Sequence, residues 1–369
     1  MKLKNQLTGL SPYKPGKPME EVKAAYGLDQ VFKLASNENP FGASPLVQEA
    51  VQAAAAKPAL YPDGYAQAVR TELAESLGVE EKQLLFGAGS DEVILMLCRA
   101  YLDAGTNTVM AVPTFSQYKH NAIVEGAEIR EVPLVEGDHD LESMLEAIDE
   151  NTRIVWVCNP NNPSGGYINA EAFASFLARV PSDVLVVSDE AYIEYVEAED
   201  YPDTLQLLRT YDNLVLLRTF SKAYGLAALR FGFGIGPAKL MQEVDPIRPP
   251  FNTTALAQEA ARAAWRDQAF IHDCKEKTLK NKHELMNFAK ENGLSYYPSE
   301  ANFLLLDTGF DGDEVFQALL ERGVIVRSGQ ALGFPTCIRV TIGTDEEMEH
   351  FQSALKAFLH EKAESSAQR

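Results

Sequence analysis

The sequence predicts an α/β protein of two domains, the larger built on a mainly parallel seven-stranded sheet with helices on both faces. Three observations carry this. Seven short aliphatic segments recur between residues 84 and 235, as strands buried on both faces do. Helix-like stretches separate several of them, the alternation of a doubly wound sheet. After PIRPPFN (246–252) the pattern changes to long helical stretches and a few further strands, a smaller α+β unit.

In chain order the strand-like segments are LLFGA (84–88), TVMAV (108–112), EIREVPL (128–134), IVWVC (154–158), VLVVS (184–188), LVLLR (214–218) and FGFGI (231–235). DEVILMLCRAYL (91–102), LESMLEAI (141–148) and NAEAFASFLARV (169–180) read as helices. Beyond the break come the helical run AQEAARAAWRDQAFIHDCKEKTLKNKHELMNFAKENG, then LSYYPSEANFLLLDT, a helix-like DEVFQALLERG, VIVRSG and CIRVTIG. The expected division is an N-terminal arm over 1–40, packed on the small domain or a second subunit, a large domain over 41–257 and a small domain over 258–369. The polar tail EKAESSAQR is expected to fray.

Composition narrows the function. With 369 residues, 46% hydrophobic and 23% charged, the chain can bury a large core. Lys+Arg 33 against Asp+Glu 53 gives a net charge of −20, which repels nucleic acid and anionic membranes. MKLKNQLTGLSPYKPGK has no apolar core of a leader, and no run approaches the ~20 residues of a membrane span, so a soluble cytoplasmic protein is expected. Cys98, Cys158, Cys274 and Cys337 are scattered and the six histidines form no H-E-x-x-H, so neither disulfides nor a metal centre is implied.

Four motifs follow strands. Gly87-Ala88-Gly89-Ser90 opens a helix at Asp91, whose first amides can cradle a phosphate; a tight turn with an ordinary helix cap explains it equally. A dinucleotide fingerprint fails because Glu92 replaces the third glycine. CNPNNPSGG (158–166) is a run of turn formers where ligands bind in open sheets, with asparagines that can reach a ligand oxygen. In VLVVSDEAYIEY, Asp189 ends a buried strand, where a carboxylate needs a cation unless it merely caps the next turn. In TFSKAYGLAALRFGF, Ser221, Lys222 and Arg230 follow the strand LVLLR; a desolvated lysine is an amine nucleophile for a carbonyl, and arginine binds phosphate through its planar fork. Together these groups suit a ligand with an aldehyde, a phosphate, a ring oxygen and a basic ring nitrogen, which is pyridoxal phosphate.

With LSPYKPGK, KLASNENPFG, YPDG, GAGSDE, VPTFSQY, NPNNPSG, SDEAYIEY, TFSKAYGLAALRFGF, PPFNTTALAQEAA and CIRVTIGTDEEM in this order, the chain resembles the fold-type I pyridoxal-phosphate aminotransferases over nearly its whole length, and among them the histidinol-phosphate group. The resemblance implies that Lys222 bonds to the cofactor aldehyde and that Asp189 pairs with its ring nitrogen. It implies that Asn162 and Tyr192 bond the ring oxygen, and that Phe115 stacks on the ring. Ser90, Asp91, Ser221 and Arg230 would hold the phosphate, joined by Tyr61 from the other subunit of a homodimer. Arg339, with Arg327, Tyr13 and Asn37, would line the substrate pocket, and histidinol phosphate and 2-oxoglutarate would be the substrates. An aromatic amino acid aminotransferase, a decarboxylase and a non-catalytic regulator with the same cofactor are the alternatives. Two positions depart from the family pattern: Ala228 stands where glycine is usual, and Phe115 where tyrosine is common.

Overall fold

The computed structural model describes residues 1–12 and 16–367. In chain order its strands are β1 (Phe32–Lys33), β2 (Leu84–Gly87), β3 (Asn107–Val112), β4 (Glu128–Pro133), β5 (Thr152–Cys158), β6 (Leu185–Asp189), β7 (Leu214–Thr219), β8 (Gly232–Ile235), β9 (Ser295–Tyr297), β10 (Phe303–Asp307), β11 (Val324–Ile325), β12 (Arg327–Ser328) and β13 (Cys337–Thr341). The seven segments read as large-domain strands form one sheet in the order β2-β8-β7-β6-β5-β3-β4.

From β7 to β4 the neighbours run parallel, whereas β8 is antiparallel to both β7 and β2. The sheet is thus mainly, not wholly, parallel. Arg230 follows β7, as expected, and precedes β8, whose start lies at the carboxyl edge because the strand runs the other way. Gly232 pairs with Thr219 on one side and Gly87 on the other, so the ends of β7 and β2 meet beside it.

Successive residues of the central strands point to opposite faces. Val155, Val157, Val186, Leu214 and Leu216 enter one apolar cluster with the helix Ala255–Arg266. Ile154, Trp156, Val187, Val215 and Leu217 enter the other with the helix Ser90–Tyr101 and Tyr118. Asp189, two residues beyond Val187, therefore projects toward the Tyr118 face.

The helical run after the Pro-rich break divides at Asp267, whose φ of −99° and ψ of 62° interrupt it; its carboxylate accepts from the Phe270 amide and from Ser44 Oγ. Ala257, Ala260, Ala261 and Ala264 of the first helix pack with the large sheet. The second, Gln268–Glu291, starts there at Ile271 and ends in the smaller core through Leu285, Phe288 and Ala289. The packing thus places the whole of Ala255–Arg266, which a division at 257/258 would split, with the large sheet.

The smaller unit carries the antiparallel sheet β12-β13-β10-β9. The N-terminal segment belongs to it by contact: β1 pairs in parallel with β11, and Val22, Val31 and Ala35 pack on Leu320 and Ile325. The chain then passes from β1 straight into the cleft as Ala35, Ser36 and Asn37. No helix among the described residues is long and apolar enough to cross a membrane.

Candidate active site

A cavity of about 430 Å³ is lined by Asn37, Ser90, Asp91, Phe115, Asn162, Asp189, Tyr192, Ser221, Lys222, Arg230, Arg327 and Arg339. All these expected residues meet there, although they span some three hundred positions of sequence. Tyr61 is elsewhere: 82% exposed and stacked on Phe251 at 4.6 Å between ring centroids. Tyr13 lies outside the described residues.

One end is an anion cup. The helix Ser90–Tyr101 begins at Gly89, whose φ is 79°; a Cβ there would sit 2.6 Å from Arg230 Nη2. A Cβ on Gly232 would sit 2.4 Å from the Ser90 nitrogen. These two glycines let a helix start, a strand start and a guanidinium close on one point. Arg230 Nη1 donates to Ser221 Oγ at 3.3 Å, and Nη2 stands 3.8 Å from Asp91 Oδ2. Helix-start amides, a hydroxyl and a guanidinium together suit a phosphate. Glu92, which breaks the dinucleotide pattern, accepts from the Ala88 amide and from Asn252 Nδ2, both at 2.7 Å, and so braces the turn. Ala228 is exposed in the turn Ala227–Leu229 and only Ala227 lines the cavity, so the turn needs no glycine at 228.

At the cavity centre Lys222 Nζ donates to the Ser36 carbonyl at 3.0 Å. Desolvation, with the Arg339 charge second, lowers its pKa to about 8, so an appreciable neutral fraction exists near neutral pH. Asp189 is 3% exposed. Its Oδ2 accepts from Tyr118 Oη at 2.6 Å and its Oδ1 from the Ala191 amide at 3.2 Å. Burial raises its pKa to about 6, with the Tyr118 hydroxyl acting the other way. Asp189 does not cap the next helical turn, Ile193–Tyr195, whose N-cap is Tyr192; its bond to the Ala191 amide is a local turn contact.

The opposite wall is a chain of oriented amides. Asn37 Nδ2 and Asn162 Nδ2 both donate to Tyr192 Oη, at 3.0 and 3.2 Å. Each amide is oriented by a donor on its oxygen: Thr341 Oγ1 on Asn37 Oδ1 at 3.0 Å, and Arg339 Nη1 on Asn162 Oδ1 at 2.5 Å. A phenol that accepts twice keeps its own hydrogen to donate. Arg339, 7% exposed, also donates through Nη2 to the Ala35 carbonyl at 2.7 Å and lies over the Phe303 ring. Phe115 meets Tyr118 edge to face at 5.5 Å. Sequence reasoning missed Tyr118 and Ser36: the first is one aromatic in an ordinary helix, three residues after Phe115, and the second acts through its backbone, which no side-chain pattern marks.

Residues 29–355 match the model of the family described as aminotransferase class I and II, and the chain belongs to that family. Its relatives point further within it. A histidinol-phosphate aminotransferase of Geobacillus sp. (strain WCH70) is 61% identical over 362 residues, covering 98% of this chain and 99% of that one. The histidinol-phosphate aminotransferase of Bacillus subtilis (strain 168) is 57% identical over 360 residues, covering 97% and 100%. Among solved structures, the histidinol-phosphate aminotransferase of Sinorhizobium meliloti in complex with pyridoxal 5'-phosphate superposes with a TM-score of 0.89 at 28% identity, covering 97% of this chain and 98% of that one.

The donor set fits pyridoxal 5'-phosphate. The cup formed around Gly89 and Gly232 suits its phosphate, and Lys222 stands ready for an aldehyde. The dry Asp189 carboxylate suits a protonated ring nitrogen, and Tyr192 suits the ring oxygen.

Proposed function

We propose that this chain transfers the amino group of L-histidinol phosphate to 2-oxoglutarate, giving imidazole-acetol phosphate and glutamate in histidine biosynthesis, and that it works as a homodimer. The observation that carries the substrate reading is a second cationic end in one cavity. Arg230 serves one phosphate; Arg339 and Arg327 supply guanidiniums for another anion. A donor bearing phosphate and an acceptor bearing carboxylates can use that second end in turn.

When bound, pyridoxal phosphate supplies an electron sink for the pair left on the donor carbon. The chain's residues do the rest. Lys222 Nζ would hold the cofactor through its aldehyde between turnovers and, once freed by the donor amine, would serve as the base that takes the proton from the donor's amine-bearing carbon and as the acid that gives it back. Asp189 keeps the ring nitrogen protonated, and the Tyr192 hydroxyl, with the Asn162 amide beside it, donates toward the ring oxygen. Phe115 covers the ring face without a hydroxyl of its own.

The dimer reading rests on Tyr61. Its ring is exposed beside Phe251, which is 45% exposed, and its sequence neighbours Leu60 and Tyr65 are also exposed, a patch that a second copy would cover. Tyr61 would then reach the anion cup of that copy.

The test is a steady-state comparison of histidinol phosphate, phenylalanine and tyrosine as donors to 2-oxoglutarate. The expected result is kcat/KM highest for histidinol phosphate; a preference for either aromatic amino acid overturns the substrate reading.

A further inference from the structure

One short segment of the small domain, Ser299–Phe303, touches all three stretches that build the amide wall of the site. Its role is not explained by substrate or cofactor contact, since Ser299 and Glu300 line no part of the active cavity. The Glu300 amide donates to the Gly165 carbonyl at 2.9 Å, and the Gly165 amide donates to the Asn161 carbonyl at 2.8 Å, closing the loop that carries Asn162. That loop and the segment fit tightly: a Cβ on Gly165, whose φ is 85°, would lie 2.3 Å from Ser299 Oγ. The Glu300 carboxylate reaches the other way. Its Oε2 accepts from the Glu197 amide at 2.6 Å and the Ala198 amide at 3.2 Å, just past the turn Ile193–Tyr195 that follows Tyr192. Phe303 then packs edge to face on Tyr192 at 5.2 Å, and Asn302 Nδ2 donates to the Asn37 carbonyl at 3.0 Å.

The segment is itself clasped from behind. Lys282, fully buried on the helix Gln268–Glu291, donates through Nζ to the Ser299 carbonyl at 2.7 Å and to the Ala301 carbonyl at 3.4 Å, one on each side of Glu300. Its charge faces Glu197 at 3.6 Å, and His283 Nε2 lies 3.2 Å from the same carboxylate. A buried ammonium is held only where such partners converge. Here they converge on a segment that makes no contact with the reaction.

We propose that the Glu300 carboxylate is a positioning group: it ties the small domain to the segment that follows Tyr192, and so sets how well the Tyr192 hydroxyl donates to the ring oxygen, while the Glu300 main-chain amide holds the Asn162 loop whatever the side chain. The proposal rests on the cofactor reading above. Donation to that oxygen stabilises its ionised form and lowers the pH at which the bound cofactor's visible absorption changes. Loosening the Tyr192 donor raises that pH.

The experiment titrates the visible absorption of protein loaded with pyridoxal phosphate, for the parent chain, Glu300→Ala, Glu300→Asp and Glu300→Gln, with thermal melting alongside. Glu300→Ala is expected to raise the spectral midpoint by about one pH unit, the scale of one lost hydrogen bond to a charged group. Glu300→Asp, too short to reach both amides, shifts it the same way and serves if the alanine variant does not fold. Glu300→Gln keeps an acceptor oxygen and returns the midpoint to the parent value. An unchanged midpoint in the alanine or aspartate variant, even with a lower melting temperature, assigns Glu300 to stability alone and overturns the proposal. So does an equal shift in the glutamine variant, which would make charge the cause. A parent chain that takes up no cofactor overturns the cofactor reading itself, a result distinct from either.

Discussion

Arg339 Nη1 donates to Asn162 Oδ1 at 2.5 Å, and Asn162 turns its other end to Tyr192 Oη. One bond thus joins the guanidinium assigned to the substrate's anion with the amide assigned to the cofactor's ring oxygen. The coupling has a physical basis: an amide whose oxygen is claimed by a cation has only its nitrogen to present to the phenol.

Replacing Arg339 should therefore be felt at both ends. Arg339→Gln is expected to raise KM for histidinol phosphate on the order of 100-fold, the scale of losing charge-assisted bonds worth about 1.5–3 kcal/mol each. It should also move the visible absorption of the cofactor-loaded protein without substrate. A raised KM with an unaltered spectrum would show that the Arg339–Asn162 bond does not orient the amide.

Tyr118→Phe isolates the hydroxyl beside Asp189, since the ring stays to stack on Trp156 at 4.7 Å. Without that donor the Asp189 carboxyl moves further above its raised pKa of about 6 and is less ionised near neutrality. Cofactor affinity should fall about tenfold, equivalent to ~1.4 kcal/mol, and fall further as pH drops toward 6. Equilibrium dialysis between pH 6 and 8 measures it; equal affinities for variant and parent across that range would remove Tyr118 from the site.

What could be read from sequence divides along a physical line. Asp189 is a carboxylate ending an apolar strand, where burial without purpose is costly, so the pattern itself marks it; Lys222 and Asn162 stand out only once the motifs that follow several strands are taken together with the family resemblance. Arg230 was legible as a candidate site residue, and it does line the cavity, but its geometry was not legible, because the antiparallel sense of β8 comes from pairing and leaves no mark on FGFGI. Asp267 breaks a helix inside an unbroken amphipathic run, where its capping of Phe270 and bond to Ser44 outweigh propensity. The Ser36 carbonyl, Tyr118 and Glu300 act through contacts made only in the folded chain.

Tyr61 supplies a test of the dimer. In its own chain it touches Phe251 and not the cavity. Tyr61→Ala and Lys222→Ala should each be impaired. If Tyr61 completes the site of a second copy, co-refolding the two in equal amounts makes hybrids with one intact site, restoring about one quarter of parent activity at random pairing. No gain over the unmixed variants would place Tyr61 outside the partner's site.

Lys222 makes the pH prediction. Its pKa of about 8 in the folded chain lies below the ordinary 10.5, chiefly through desolvation. The neutral amine is the form that attacks an aldehyde, so the rate at which cofactor-free protein captures pyridoxal phosphate, trapped by borohydride, should rise with pH around a midpoint of about 8. The same shift has a stability consequence. Between about 8 and 10.5 the unfolded chain binds a proton that the folded chain does not, so this group's contribution to stability rises with pH across that window, and below it the burial penalty on the charged amine is fully present. Lys222→Met removes the penalty. The cofactor-free variant should melt above the parent at pH 7, with the gap closing as pH approaches 10. A capture rate flat from pH 6.5 to 9, together with a constant gap in melting temperature, would show that Lys222 is not desolvated in the folded chain.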